Sequence, residues 1–427
     1  MPEVEKEGDQ YSHFSTTMKI PIHSSKSVKP AHGPGNARDA PTATTFNVVP
    51  LTVFDEVNHN EHVTGIFAFN PPAPPIAILE AALAKVLAEY CELAGWLVVD
   101  NGRSGKRAIL LNDNGALLVE ASADVALCAI MPLQVGPEAL ELHPSCDCAE
   151  ELMLVQFTLF PCGSFVVGCG FHHSVADGYG ISAILIALGK AVRGMAFDPT
   201  TQVHDRVSLF KPRDPPGVEY AVPRVEQKAF ENKSIDDDVV VETVHFSREF
   251  ISQLQSRVSV GECWPYSVVQ CSAVFDRATV HLAVNGRGRM VDPKVPKGYT
   301  GNVVLWARPT TTVRELVDTP LCRTVELISQ EVTRIDNPIS SELVMRNNIE
   351  VDSELGILLY DIDFGSGMPF LFMPTYSTPQ PVEGAIFLVP TFTGDGGVVA
   401  YVPLFCRTVD RFMSCCYSLP PVAEARL

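Results

Sequence analysis

The chain contains no long apolar run. Ala183–Leu188 is near-uniformly apolar, but it falls far short of the roughly 20 residues that a membrane-spanning helix needs. Basic residues are scarce: 32 Lys and Arg stand against 50 Asp and Glu, a net charge of −18. That balance argues against a nucleic-acid surface and is better suited to a cationic ligand. The sequence has no Gly-x-Ser-x-Gly elbow, no phosphate-cradling glycine loop and no His-Glu-x-x-His helix, which removes several hydrolase, nucleotide-binding and zinc-protease classes. The 12 cysteines are scattered, and the close pairs Cys146-x-Cys148 and Cys415-Cys416 lack a second pair at zinc spacing, so no metal site is expected. Cys91, Cys128, Cys169 and Cys271 lie in apolar surroundings and read as reduced core thiols of a cytoplasmic protein. The opening Met-Pro-Glu-Val-Glu-Lys-Glu is acidic and polar, unlike a signal peptide, which fits the same compartment.

What is present suffices for a large core. Apolar residues make up 46% of the 427 and charged residues 19%, an ordinary globular balance for two or three domains or one two-lobed unit. Residues 1–17 are polar and read as a disordered extension. Strand-like segments follow at Met18–His23, Val48–Phe54 and His62–Phe69. Pro71-Pro-Ala-Pro-Pro75 then precedes a helix from Ile76 to about Glu92, with Leu79, Leu83, Val86, Leu87 and Tyr90 on one face. Asn112-Asp-Asn-Gly115 between Ala108–Leu111 and Ala116–Glu120 predicts a hairpin, and Pro161-Cys-Gly163 between Leu152–Phe160 and Ser164–Phe171 predicts a second. A helix is expected from Gly178 to about Val192, closed by Gly194. The polar, proline-rich stretch 205–238 reads as a linker between lobes at 18–204 and 239–427. The second lobe has expected strands at Val239–Phe246, Ala278–Val284, Asn302–Ala307, Glu383–Pro390 and Val398–Leu404, and a helix at Arg248–Val258. Hairpin strands with helices between them imply mixed sheets in an α/β fold.

The most informative segment joins the apolar strand Ser164–Phe171 to His172-His173-Ser174-Val175-Ala176-Asp177-Gly178. A histidine at a strand end is a well-fixed general base, an aspartate four residues on can lock the turn, and the following glycine permits it. His143 and Asp147 share the His-x-x-x-Asp spacing, but they lie in the polar loop His-Pro-Ser-Cys-Asp-Cys, with no strand leading in and no glycine after the aspartate. A histidine base with no serine or cysteine nucleophile beside it points to direct attack by an amine or hydroxyl on an activated acyl group such as a thioester.

Three motifs in order carry a resemblance: His173-x-x-x-Asp177-Gly178, Tyr299-Thr-Gly-Asn302 and Asp363-Phe-Gly365-Ser-Gly367. With them the chain resembles the plant BAHD acyltransferases, whose second signature is Asp-Phe-Gly-Trp-Gly. Within that family its stretches, such as Val-Val-Pro-Leu-Thr-Val-Phe and Gly-Tyr-Thr-Gly-Asn-Val-Val-Leu-Trp-Ala-Arg-Pro, are most similar to the cereal agmatine coumaroyltransferases. The resemblance implies two chloramphenicol-acetyltransferase-like lobes with an active-site channel between them. It implies transfer of a hydroxycinnamoyl group from acyl-coenzyme A, a co-substrate with no other cofactor and no metal, to the primary amine of agmatine, putrescine or tryptamine. A monomer is implied, with small molecules as partners and neither nucleic acid nor membrane. His173 would be the general base. Asp177 would be structural, paired with an arginine of Asn285-Gly-Arg287-Gly-Arg289, with Arg287 favoured. Tyr299, Gly301 and Asn302, and the loop of Asp363, Gly365 and Gly367, would lie toward the coenzyme A side. Agmatine's guanidinium calls for a carboxylate, and Glu350, Asp352 and Glu354 are candidates.

The chain departs from the pattern in several places. Residues 1–17 precede the family's usual start, which Met18 resembles. Ser366 stands in place of the motif's tryptophan, which implies weaker packing. Segments near 271–279 and 337–348 are shorter than the resemblance leads one to expect. A catalytically impaired relative and an O-acyltransferase acting on an alcohol are the alternative readings.

Overall fold

The computed structural model describes residues 18–32, 48–56, 60–99, 107–197, 206–210, 238–260, 277–319, 321–335, 349–375 and 381–418. The proposed extension, most of the linker, Cys271, most of the segment near 271–279 and the segment at 337–348 lie outside them.

Two large mixed sheets organise the chain, in agreement with the expected α/β fold of two sheet-rich lobes. The first has six strands in the order Ile22–Val28, Ala116–Ser122, Met153–Leu159, Phe165–His172, His62–Phe69 and Leu371–Thr375. Its Ala116–Ser122 and Met153–Leu159 strands run parallel and its other pairs antiparallel. The second places Val304–Ala307, Arg277–Asn285, Ile349–Ser353, Ala385–Pro390, Val398–Phe405 and Val239–Phe246 side by side, with Thr310–Thr312 also on Arg277–Asn285. A three-stranded sheet joins Val48–Pro50, Arg107–Leu110 and Trp96–Val99. The edge strand Leu371–Thr375 of the first sheet comes from the far part of the chain. Thr64 Oγ1 donates to the Thr375 carbonyl at 2.9 Å across 311 residues of sequence.

Helical spacing explains the core. Leu79, Leu83, Val86 and Leu87 of helix Ile76–Glu89 and Ile184, Leu185 and Leu188 of helix Gly178–Val192 are buried in one cluster with Phe69, Phe165 and Phe171. Fully burying each such side chain contributes about 1.5–3 kcal/mol.

Four expectations need correction. The strand expected over Val48–Phe54 stops at Pro50, because Thr52 and Asp55 bond each other's backbone and side chain and turn the chain into the short helix Val53–Glu56. The helix expected to reach Glu92 ends at Glu89 and tightens into a 3₁₀ turn over Cys91–Ala94. The Asn-Asp-Asn-Gly turn forms no hairpin. Arg107–Leu110 pairs within the small sheet, whereas Ala116–Ser122 takes an interior place between Ile22–Val28 and Met153–Leu159, where two ladders satisfy its backbone instead of one. Cys128 is exposed, since in its 3₁₀ turn Leu127 is the buried residue; Cys91 and Cys169 are buried as expected. No described helix is long and apolar enough to cross a membrane.

Candidate active site

His173 follows directly on strand Phe165–His172, and its backbone N–H makes a last tie to the Glu61 carbonyl at 2.9 Å. Of residues 171–177 it alone is not buried. Strand alternation separates the two adjacent histidines. The His172 ring is buried edge-on against His62, with centroids 5.2 Å apart, and its Nδ1 accepts from the Ser174 N–H. Burial, then the neighbouring His62, Arg107 and His173, lowers its pKa to about 4, so His172 is a neutral packing residue. The second His-x-x-x-Asp match behaves differently again: His143 is buried, bonded through Nδ1 to the Pro144 carbonyl, with its pKa lowered by burial.

Asp177 caps helix Gly178–Val192. Its Oδ1 accepts from the Gly180 N–H at 3.0 Å, which satisfies an otherwise orphaned helix donor. The same carboxylate receives both guanidinium arms of Arg287, Nη1 to Oδ2 at 2.8 Å and Nη2 to Oδ1 at 2.9 Å, and the Val303 N–H at 2.9 Å. Arg287 is therefore the arginine that meets Asp177, while Arg289 turns away to the Val332 carbonyl. The ion-pair side chains are 9% and 4% exposed. Pairs this dry require their remaining hydrogen-bonding capacity to be used, and here it is: Arg287 also donates to the Tyr299 and Gly301 carbonyls and lies over the Tyr179 ring at 4.5 Å. The pair thus fixes the His173 turn to segments 110 or more residues further along the chain.

Tyr299 and Asn302 are 1% and 0% exposed. They pack behind the turn, Tyr299 against Phe210 and Asn302 with its amide donating to the His173 carbonyl at 2.8 Å, so any effect they have on a donor is indirect. Burial, then the charge of Asp55, raises the Tyr299 phenol above its ordinary range.

The Asp363 loop lies at the other end of the same helix, roughly 20 Å away at 1.5 Å per residue. Asp363 Oδ1 accepts from the Gly365 and Gly367 N–H groups at 2.7 and 2.9 Å, and Oδ2 pairs with Arg193 at 2.9 Å. Gly189 of the helix lets that loop approach: a Cβ there would fall 2.4 Å from the Asp363 carbonyl oxygen. Phe364 is buried edge-on against Phe69. The Oγ of Ser366, at the departed tryptophan position, is buried and finds no partner among the described residues.

Of the three acidic candidates, Glu350 and Asp352 share one face of strand Ile349–Ser353, and Glu354 begins the turn that follows. Glu354 reaches the end of the histidine-bearing segment, where the helix begins: a Cβ at Gly178 would stand 3.0 Å from its Oε2. Loss of solvent, then the Asp177 charge, pushes the Glu354 carboxyl up to about 7. Desolvation, then Glu350 and Glu354, holds Asp352 well above the carboxylate range. Crowded carboxylates of this kind favour a cation that restores their charge.

Sequence reasoning missed Asp55 and Arg206, which stand behind the turn. Nothing local marks Asp55 in Thr-Val-Phe-Asp-Glu, and Arg206 lies in the stretch that reads as a linker. Among the described residues no group of acidic, histidine and cysteine side chains could hold a metal ion.

The chain as a whole is similar to known proteins. The model of the Transferase family matches residues 18–259 and 269–418. Agmatine coumaroyltransferase-1 of Hordeum vulgare is 48% identical over 448 residues, covering 94% of this chain and 100% of that protein. Agmatine hydroxycinnamoyltransferase 1 of Oryza sativa subsp. japonica is 46% identical, covering 95% and 100%. Putrescine hydroxycinnamoyltransferase 3 of the same organism is 36% identical, covering 94% and 100%. Among solved structures, vinorine synthase is similar with a TM-score of 0.66 at 20% identity, covering 92% of this chain and 96% of that one. TRI101 of F. sporotrichioides complexed with coenzyme A and T-2 gives 0.61 at 16%, covering 83% and 94%.

Proposed function

The chain belongs to the Transferase family, the BAHD acyltransferases, and on that premise we propose that it transfers a hydroxycinnamoyl group from its coenzyme A thioester to the primary amine of agmatine. His173 takes the proton from the attacking nitrogen as the C–N bond forms. The carbonyl becomes an oxyanion and then expels the coenzyme A thiolate, which receives the proton as the C–S bond breaks. Amines of this kind titrate near 10, so the site must bind the free base at the reacting end.

The observation that supports the choice of acceptor is the acidic edge formed by Glu350 and Asp352 on one face of strand Ile349–Ser353 and by Glu354, which follows that strand and lies against Gly178 at the end of the His173 turn. Agmatine and putrescine, the acceptors in the names of three similar enzymes, each carry a second cation that such an edge would neutralise. A guanidinium fits carboxylates in two-pronged fashion, which favours agmatine.

The test is release of free coenzyme A from p-coumaroyl-coenzyme A with agmatine, putrescine, tryptamine or shikimate. Agmatine should give the highest kcat/KM, and His173→Ala should lower the rate of release by about 10²–10⁴-fold while leaving donor binding intact. Release with shikimate alone would overturn the amine reading, and full activity of His173→Ala would overturn the base assignment.

A further inference from the structure

We propose that Asp55, Arg206 and Asn302 form a second buried brace that positions His173 for the reaction. The proposal rests on the reading of His173 as the base. Beyond the His173 N–H the chain leaves its sheet, so the ring's place depends on what grips the carbonyls of the turn. Two of those carbonyls are held by side chains: His173 O accepts from Asn302 Nδ2 at 2.8 Å, and Val175 O from Arg206 Nη2 at 3.0 Å.

One carboxylate orients both donors. Asp55 Oδ1 accepts from Asn302 Nδ2 at 2.9 Å, from the Asn302 N–H at 3.3 Å and from Arg206 Nη1 at 3.2 Å. Its Oδ2 is pinned by the N–H and hydroxyl of Thr52 at 2.9 and 2.8 Å. Arg206 and Asp55 side chains are 2% and 0% exposed, and the Arg206 guanidinium lies 5.9 Å from the Tyr299 ring. Burial alone would lower the Arg206 pKa, but Asp55 and then Tyr299 more than reverse this and raise it.

The brace differs from the Asp177–Arg287 pair in what it holds. That pair fixes the helix start after the turn; this one grips the peptide that carries the histidine itself. If the Asn302 amide is removed, the His173 carbonyl loses its side-chain donor and the peptide plane is free to rotate, carrying the imidazole away from its substrate. A displacement near 1 Å costs on the order of 100-fold in rate.

The experiment compares Asn302→Ala, Asp55→Asn and Arg206→Met in the full chain with p-coumaroyl-coenzyme A and agmatine, on protein whose melting transition shows it folded. Each should lower kcat on the order of 10- to 100-fold while the KM for the donor stays within about twofold. In a His173→Ala background, Asn302→Ala should lower the residual rate no further, because its effect runs through the missing ring. Folded Asn302→Ala with unchanged kcat, or an equal loss with and without His173, would overturn the brace. If Asp55→Asn does not fold, Asn302→Ala, which leaves the ion pair in place, carries the test. Activity retained by His173→Ala alone would sink the base assignment instead, and the two failures are read from different variants.

Discussion

The two ends of helix Gly178–Val192 are held by the same chemistry under different conditions. At the first end Asp177 binds backbone N–H groups and Arg287, with the pair 9% and 4% exposed. At the far end Asp363 binds backbone N–H groups and Arg193, with the pair 28% and 24% exposed. Each aspartate belongs to one of the two signature motifs, so the motifs, 186 positions apart (363 − 177), clasp one helix. Water makes the difference. A dry pair holds a single geometry because every alternative leaves a buried charge uncompensated, whereas a half-wet pair can be replaced by solvent. The dry clasp sits beside the His173 turn, and the wetter one fastens a loop about 20 Å away.

The comparison breaks most readily at the dry end. Arg287→Met should cost about 3–5 kcal/mol, because it strands a buried carboxylate, and activity should fall with it; urea unfolding and coenzyme A release measure the two. A stability equal to that of the parent would remove the distinction between the ends.

Glu354, which faces the dry end, gives the next largest effect. Its carboxyl is raised from 4.5 to about 7 in the folded chain, so between those values the unfolded state gives up its proton first and the ligand-free protein loses stability as pH rises. Glu354→Gln should remove that part of the decline in a melting series from pH 4.5 to 8. It should also raise the KM for agmatine by about tenfold, or about 1.4 kcal/mol, and affect tryptamine far less.

At the far end Asp363→Asn should lower stability by about 1–2 kcal/mol, the scale of one or two net hydrogen bonds, with kcat close to the parent's. Arg193→Ala should cost less than about 1 kcal/mol, and less still at high salt. A loss of activity at Asp363 matching that at Arg287 would show the two clasps to be equivalent.

The legible parts of the molecule are those written locally or by motif. Helix Gly178–Val192 has its cap, its apolar spacing and its closing Gly194 in sequence, and the structure places it there. Arg287 was accessible only through the motif resemblance, because nothing in Asn-Gly-Arg-Gly-Arg tells which arginine turns inward. Arg206 was not legible. Its partner Asp55 lies 151 residues away, and a buried cation within a polar, proline-rich stretch looks like surface until the fold closes over it. The false hairpin at Asn112–Gly115 has the same origin, a correct local signal overruled by a strand with two better neighbours.

The crossing strand Leu371–Thr375 sets a timetable. During synthesis His62–Phe69 can pair with Phe165–His172 as soon as both have emerged, but its other edge stays open for some 200 further residues, many seconds at ribosomal speed. Through that interval the first sheet offers an unpaired ladder to any passing chain. The histidine-bearing half is thus the older part of the nascent molecule and also its more exposed part, and a ribosome that stalls between the two motifs leaves behind an adhesive edge rather than a smaller enzyme.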